Sequence, residues 1–104
     1  MSQFLTMDVV HRLNDINFVW DRKKAQSNFR RHGVAFETAC EVFFDPFICF
    51  VGTDVVGREK REAVIGMTVD WKLLKVVYVF RREVIRILSA RPVTSHERKT
   101  YENQ

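Results

Sequence analysis

The sequence is poor in the residues that build metal, cofactor and disulfide sites. Its 104 residues include only four glycines, two prolines, two cysteines and three histidines. The scattered glycines leave no G-x-G-x-x-G or Walker-type phosphate loop. Cys40 and Cys49 lack C-x-x-C spacing and lie in apolar surroundings, so each reads as a small buried hydrophobe, not a ligand or half of a disulfide framework. With no H-x-x-x-H pair either, nothing has the spacing of a metal site. A Ser or Cys nucleophile with a nearby base lacks local support. No apolar run approaches the roughly 20 residues of a membrane span, and the start lacks a charged-then-apolar signal layout. The expectation is a cytoplasmic protein with no membrane partner, no metal and no cofactor.

What the chain does have is bulk and uneven charge. Hydrophobic residues at 46%, with nine Phe and two Trp, suffice for one compact core, and about 100 residues fit one domain. The formal charge is +4. Residues 1–57 carry six basic and seven acidic groups, net −1, whereas residues 58–104 carry eleven and six, net +5. A basic half points to a polyanionic partner, although small basic domains without one are common.

Local patterns give the element order. In "MSQFLTMDVVHRLNDIN", residues 1–17, Phe4, Leu5, Val9 and Leu13 recur near helical spacing and suggest a short helix in an N-terminal extension. "FVW" at 18–20 reads as a strand. Asp21 then caps a helix that runs to His32 and ends at Gly33, a residue that tolerates the left-handed backbone of a helix stop. Phe36, Ala39, Cys40 and Phe43 form the apolar stripe of a second helix, which Pro46 breaks. "FICFVG" is a short strand, and "TDVVGREKRE" a loop or hairpin connection. Strands over Glu62–Val69, Leu73–Phe80 and Val84–Ala90 follow, joined by hairpin-length connectors. Thr94 and Glu97 make a T-x-x-E capping box for a terminal helix. Short connectors predict an antiparallel sheet with helices on one side, an α+β arrangement.

The candidate functional groups are basic. In strict alternation Arg86 shares a strand face with Val84, Leu88 and Ala90, so its charge needs either a carboxylate partner such as Glu62 or Glu97, or an open cleft. Arg61 precedes a strand and Arg91 ends one. On the last helix, about 100° per residue groups Thr94, Glu97, Arg98 and Tyr101 on one arc, away from His96 and Lys99. Two accounts fit that arc: a solvated helix with Tyr101 packed on the sheet, or the wall of an active site. RNA cleavage needs a 2′-hydroxyl activated, a pentacovalent phosphate stabilised and a 5′-oxygen protonated. Arginine forks supply the second need, and Glu, His, Lys or Tyr the proton transfers.

Several stretches taken together resemble the BrnT family of type II toxins. They are F-x-W-D-x-x-K-x-x-x-N from Phe18 to Asn28, R-H-G-V-x-F-E-x-A from Arg31 to Ala39, and D-P at Asp45 and Pro46. R-x-x-x-I-G from Arg61 to Gly66, I-R-I-x-S-A-R from Ile85 to Arg91 and E-R-x-x-Y from Glu97 to Tyr101 complete the set. The pattern spans about residues 18–102, taken as one domain over 18–104, with residues 1–17 lying before it. Ala35 stands where a side-chain cap is expected. The resemblance implies a RelE-like α+β fold: an antiparallel sheet packed against two N-terminal-side helices, with a C-terminal helix. It implies a ribonuclease that blocks translation, and an RNA substrate. It also implies a cognate ribbon-helix-helix antitoxin, joined in a heterotetramer and touching operator DNA only through that antitoxin. On this basis Arg61, Arg86 and Arg91 are candidates for the scissile phosphate, and Lys24 and His32 for phosphate contact or proton transfer. Glu97, Arg98 and Tyr101 would complete the site. For His32 a packed or helix-capping role is the competing account. The rival reading of the whole chain is a basic binding module without catalysis.

Overall fold

The computed structural model describes residues 7–104. Six strands form one sheet in the order β1-β2-β6-β5-β4-β3. The elements are β1 (Asp8–Leu13), β2 (Ile16–Asp21), α1 (Arg22–His32), α2 (Phe36–Ala39) continued by a 3-10 turn (Cys40–Phe44), β3 (Cys49–Val56), β4 (Glu59–Met67), β5 (Leu73–Arg81), β6 (Val84–Pro92) and α3 (Ser95–Glu102). The architecture is α+β, as the connector lengths suggested, but the helices are not all on one side: α1 and α2 pack on one face and α3 lies over part of the other. Every strand pairing is antiparallel except β2 with β6, which run parallel. "TDVVGREKRE" is a hairpin whose flanks extend both strands, with Gly57 at φ 63° in the turn.

The helix expected within residues 1–17 is instead a strand over Asp8–Leu13; Phe4 and Leu5 lie outside the described residues. The cause is local. Asn14 and Asp15 both adopt positive φ, 49° and 68°, the two-residue turn whose twist matches a hairpin. They set Leu13 opposite Ile16 and zip β1 onto β2.

Helix boundaries follow their caps. The Asp21 carboxylate accepts from Lys24 N–H at 2.9 Å, and Gly33 closes α1 at φ 68° with its N–H on the Phe29 carbonyl. Ala35 leaves α2 without a side-chain cap, and after four residues the segment tightens into the 3-10 turn. Thr94 and Glu97 form the full capping box of α3.

The core lies between the sheet and α1–α2. Phe18, Phe36, Ala39, Cys40, Val42, Val76, Ile87 and Ala90 are all at most 1% exposed. Burial pushes the Cys40 thiol up to about 12, so it is an inert packing group. Gly66 admits this packing because a Cβ there would lie 2.7 Å from Val42 Cβ. Asn28, on the polar side of α1, is buried for a reason. Its amide donates to the Val34 and Ala90 carbonyls and accepts from Ala90 N–H. It thus pairs the β6 backbone where β2 no longer runs alongside.

Candidate functional site

The opposite sheet face is charged, and a bulge aligns it. Between Tyr78↔Ile87 and Val77↔Ser89 the ladder skips Leu88. One extra residue reverses the inside-outside alternation. Strict alternation would put Arg86 and Arg91 on opposite faces; the bulge puts both, with Ser89, on the face away from the core. Arg86 therefore does not share a face with Ala90, which is fully buried against the helices.

Register across the sheet then gives three rows on this face. Arg61 and Arg86 flank Val79 in the first, one step beyond the Glu62↔Tyr78 pair. Gly52, Ala63, Val77 and Ser89 form the second; Ile65, Lys75 and Arg91 form the third, which α3 covers. The middle row is small and half-buried. It forms the floor of a trough with charged walls, where a cavity of about 320 Å³ lies over Gly52, Ala63 and Val77, lined by Arg61 and Lys75 and by the carboxylates Asp54 and Glu62. A wider cavity, about 580 Å³, opens at the far end between Arg58 and Phe80, without Arg61, Arg86 or Arg91 in its lining.

The arginines hold carboxylates of the same chain. Arg86 contacts Asp8 through both terminal nitrogens, at 2.9 and 3.4 Å. Its partner is thus on β1, not Glu62 or Glu97. Arg91 grips Glu97 through two 2.8 Å bonds, with Lys75 3.8 Å from the same carboxylate. Arg61 Nε meets Glu59 at 3.0 Å. Hydrogen bonds from Arg91 pull Glu97 down to about 2, against the upward push of burial and helped by Thr94 N–H. A carboxylate so low is a weak base. It is better suited to fixing the Arg91 guanidinium.

Tyr101 is also engaged. Its hydroxyl donates to Asp45 at 2.6 Å, and the same carboxylate accepts from the N–H groups of Phe47 and Met67. Burial, then the Asp45 carboxylate, raises the phenol to about 12. For Asp45 burial pushes upward but the three donors outweigh it, leaving the acid lowered. This joint ties α3 to the D-P corner and β4.

Two further clefts collect the other candidates. Lys24, Arg31 and His32 line one of about 170 Å³ beside Leu88 and Ser89, so α1 borders the edge of the arginine-bearing strand. His32 and Arg98 share a second with Trp71, Lys72 and Pro92, about 420 Å³. Arg61, Arg86, Arg91 and Glu97 thus share one face, Lys24 and His32 one adjoining cleft, and Arg98 meets His32 in the next. Tyr101 sits apart at the Asp45 joint. Asp8, Lys75 and Trp71 were missed in the sequence. Only Trp71 carried a local signal, a bulky apolar residue in a polar turn. Among the described residues no three His, Cys, Asp or Glu side chains group closely enough to hold a metal ion, and no helix is long and apolar enough to cross a membrane.

Fold and face together define a class: a small α+β protein whose sheet packs a core on one face and carries, on the other, a trough lined by ion-paired arginines. A family model described as "Ribonuclease toxin, BrnT, of type II toxin-antitoxin system" matches residues 20–97. The chain belongs to this family, and a type II system pairs each such toxin with an antitoxin. The 1.1 Å crystal structure of the Brucella abortus ribonuclease toxin BrnT is similar at 20% identity with a TM-score of 0.49, covering 73% of this chain and 94% of that one. No curated protein matches the chain.

Proposed function

We propose that this chain is an endoribonuclease toxin that cuts RNA across the open sheet face without a metal ion and thereby inhibits translation. In the cytoplasm a cognate antitoxin holds it silent. We take that partner to be a ribbon-helix-helix protein whose own dimerisation gathers two toxins into a heterotetramer and which alone touches operator DNA. A RelE-like relationship of the fold belongs to the same reading. The observation that carries it is the bulge at Leu88, which brings Arg86 and Arg91 to one face across a shallow trough.

In this reading the ribose 2′-oxygen attacks phosphorus while a base takes its proton. The two negative non-bridging oxygens of the pentacovalent state rest on Arg86 and Arg91, with Arg61 flanking. The P–O5′ bond then breaks and the 5′-oxygen gains a proton, leaving a 2′,3′-cyclic phosphate. Glu97 acts through Arg91 as a positioning residue, and Tyr101 through Asp45 holds α3 in place. His32 and Lys24, in the cleft bordering Ser89, are the candidates for proton transfer. Arg98 contributes a phosphate contact from α3.

Purified protein incubated with RNA in excess chelator should cut it. Strict dependence on added divalent metal would sink the mechanism. The competing account, a binding module without catalysis, draws on the engagement of Arg61, Arg86 and Arg91 by carboxylates. It predicts RNA retention without cleavage, and indifference to Lys24→Ala and His32→Ala.

A further inference from the structure

We propose that the cavity between the end of α1, the β4–β5 turn and α3 is a nucleobase subsite, with the Trp71 indole as its stacking platform. It rests on the RNA-cutting reading and names where a nucleotide beside the scissile one sits.

Trp71 is the odd residue of that turn. Its φ is 63°, a region that suits Gly or Asn and strains a bulky side chain. It is also 83% exposed. Folding alone is served better by a small residue there. Yet the turn is firmly built. Trp71 N–H donates to the Thr68 carbonyl, Thr68 N–H to the Lys72 carbonyl, and Lys72 N–H to the Thr68 hydroxyl. Val69 N–H reaches the Glu41 carboxylate at 3.1 Å. The backbone that carries the indole is therefore a fixed support.

The surroundings match one ligand chemistry. The cavity, about 420 Å³, has Trp71 and Pro92 as flat apolar walls, with His32, Lys72 and Arg98 around it. Unlike Arg61, Arg86 and Arg91, neither Lys72 nor Arg98 has a carboxylate partner among the described residues. An aromatic plane beside unpaired cations is how single-stranded nucleic acid is held: the base stacks, the backbone phosphate meets the cation. Arg98 lines this cavity from α3, and its neighbour Glu97 grips Arg91, so an RNA chain lying on Arg91 reaches the cavity with its neighbouring nucleotide. The substrate is accordingly single-stranded RNA with a splayed base, and stacking gives little preference among bases.

The two tryptophans provide the assay, since Trp20 is 2% exposed and Trp71 is not. A 2′-O-methyl oligonucleotide, which cannot be cut, should quench the Trp71 emission on titration. Trp71→Ala should abolish the quench and weaken binding about tenfold or more, as for loss of one stacked base, with Trp71→Phe intermediate. An oligonucleotide of abasic sites should bind wild type and Trp71→Ala alike. Trp71→Gly should lose binding while its melting temperature rises by a few degrees as the strain is released. Equal affinity of Trp71→Ala and wild type for the base-bearing oligonucleotide overturns the subsite. Saturable micromolar binding of adenosine monophosphate alone would also overturn it, making the cavity a mononucleotide pocket. If wild type binds no oligonucleotide at all, the RNA-cutting reading itself falls; binding that needs Arg91 but ignores Trp71 removes only the subsite.

Discussion

The sheet face under α1 and α2 and the face under α3 are made from the same six strands, yet almost nothing about them is alike. On the first, Phe18, Val76, Ile87 and Ala90 are fully buried and close-packed against Phe36 and Val42. On the second, Arg61, Lys75, Arg86 and Arg91 stand half-exposed over a floor of small residues, and Ile65 is buried only where α3 covers it. One face converts apolar area into stability at roughly 25 cal/mol per Å². The other gathers like charges that a fold alone would disperse, and holds them with carboxylates. Stability and activity should therefore separate by face, and that separation can be tested.

The largest effect should come from the covered face. Phe36→Ala is expected to cost about 3–5 kcal/mol in urea unfolding, while activity per folded molecule persists. On the open face Arg86→Ala should reverse this. RNA cleavage is expected to fall roughly 100- to 1000-fold. Its half-exposed pair with Asp8 contributes only ~0–1 kcal/mol to stability. Variants that lose both properties together would break the distinction.

Asn28→Ala should cost about 2–3 kcal/mol, because it strips both the N–H and the carbonyl of Ala90 of their partner; melting curves read this directly. Glu97 should show itself through pH. Its folded-state value of about 2 lies below its ordinary value near 4.5, so its stabilisation is complete above the ordinary value and is lost as pH falls toward 2. Glu97→Gln should flatten the acid limb of a stability–pH curve and lower RNA affinity through the released Arg91. The smallest change is a gain. Arg82 and Glu83 occupy the β5–β6 turn at φ 55° and 64°, so Arg82→Asn with Glu83→Gly should add about 0.5–1 kcal/mol without altering cleavage.

What the sequence made legible follows the range of the interactions. The Asp21 cap, the Gly33 stop, the Phe36–Phe43 stripe and the Thr94–Glu97 box are set by neighbours within four residues, and all are present. Asp8–Leu13 satisfied helical spacing as well as strand spacing, and a turn just outside it decided the outcome. The Leu88 bulge left no trace in the pattern of β6, so the face of Arg86 could not be read from alternation. Its partner Asp8 lies 78 residues away, and the parallel pairing of β2 with β6 joins segments that only the finished sheet brings together. The arginines were visible as candidates; their rows, partners and trough were not.

That parallel seam has a consequence for the order of events in folding. Strands β3 to β6 form a meander of near neighbours, and β1–β2 is a hairpin complete in itself. Among the described residues their backbones pair at Asn17↔Val84, Phe18↔Ile85 and Val19↔Arg86. Closing so long a loop is entropically costly and slow compared with zipping hairpins. The seam should thus be the late step, and Asp8 arrives at Arg86 only with it. A chain stalled before that step would carry a complete meander, its core half open along Ile85 and Ile87, and an arginine row still lacking one counter-charge.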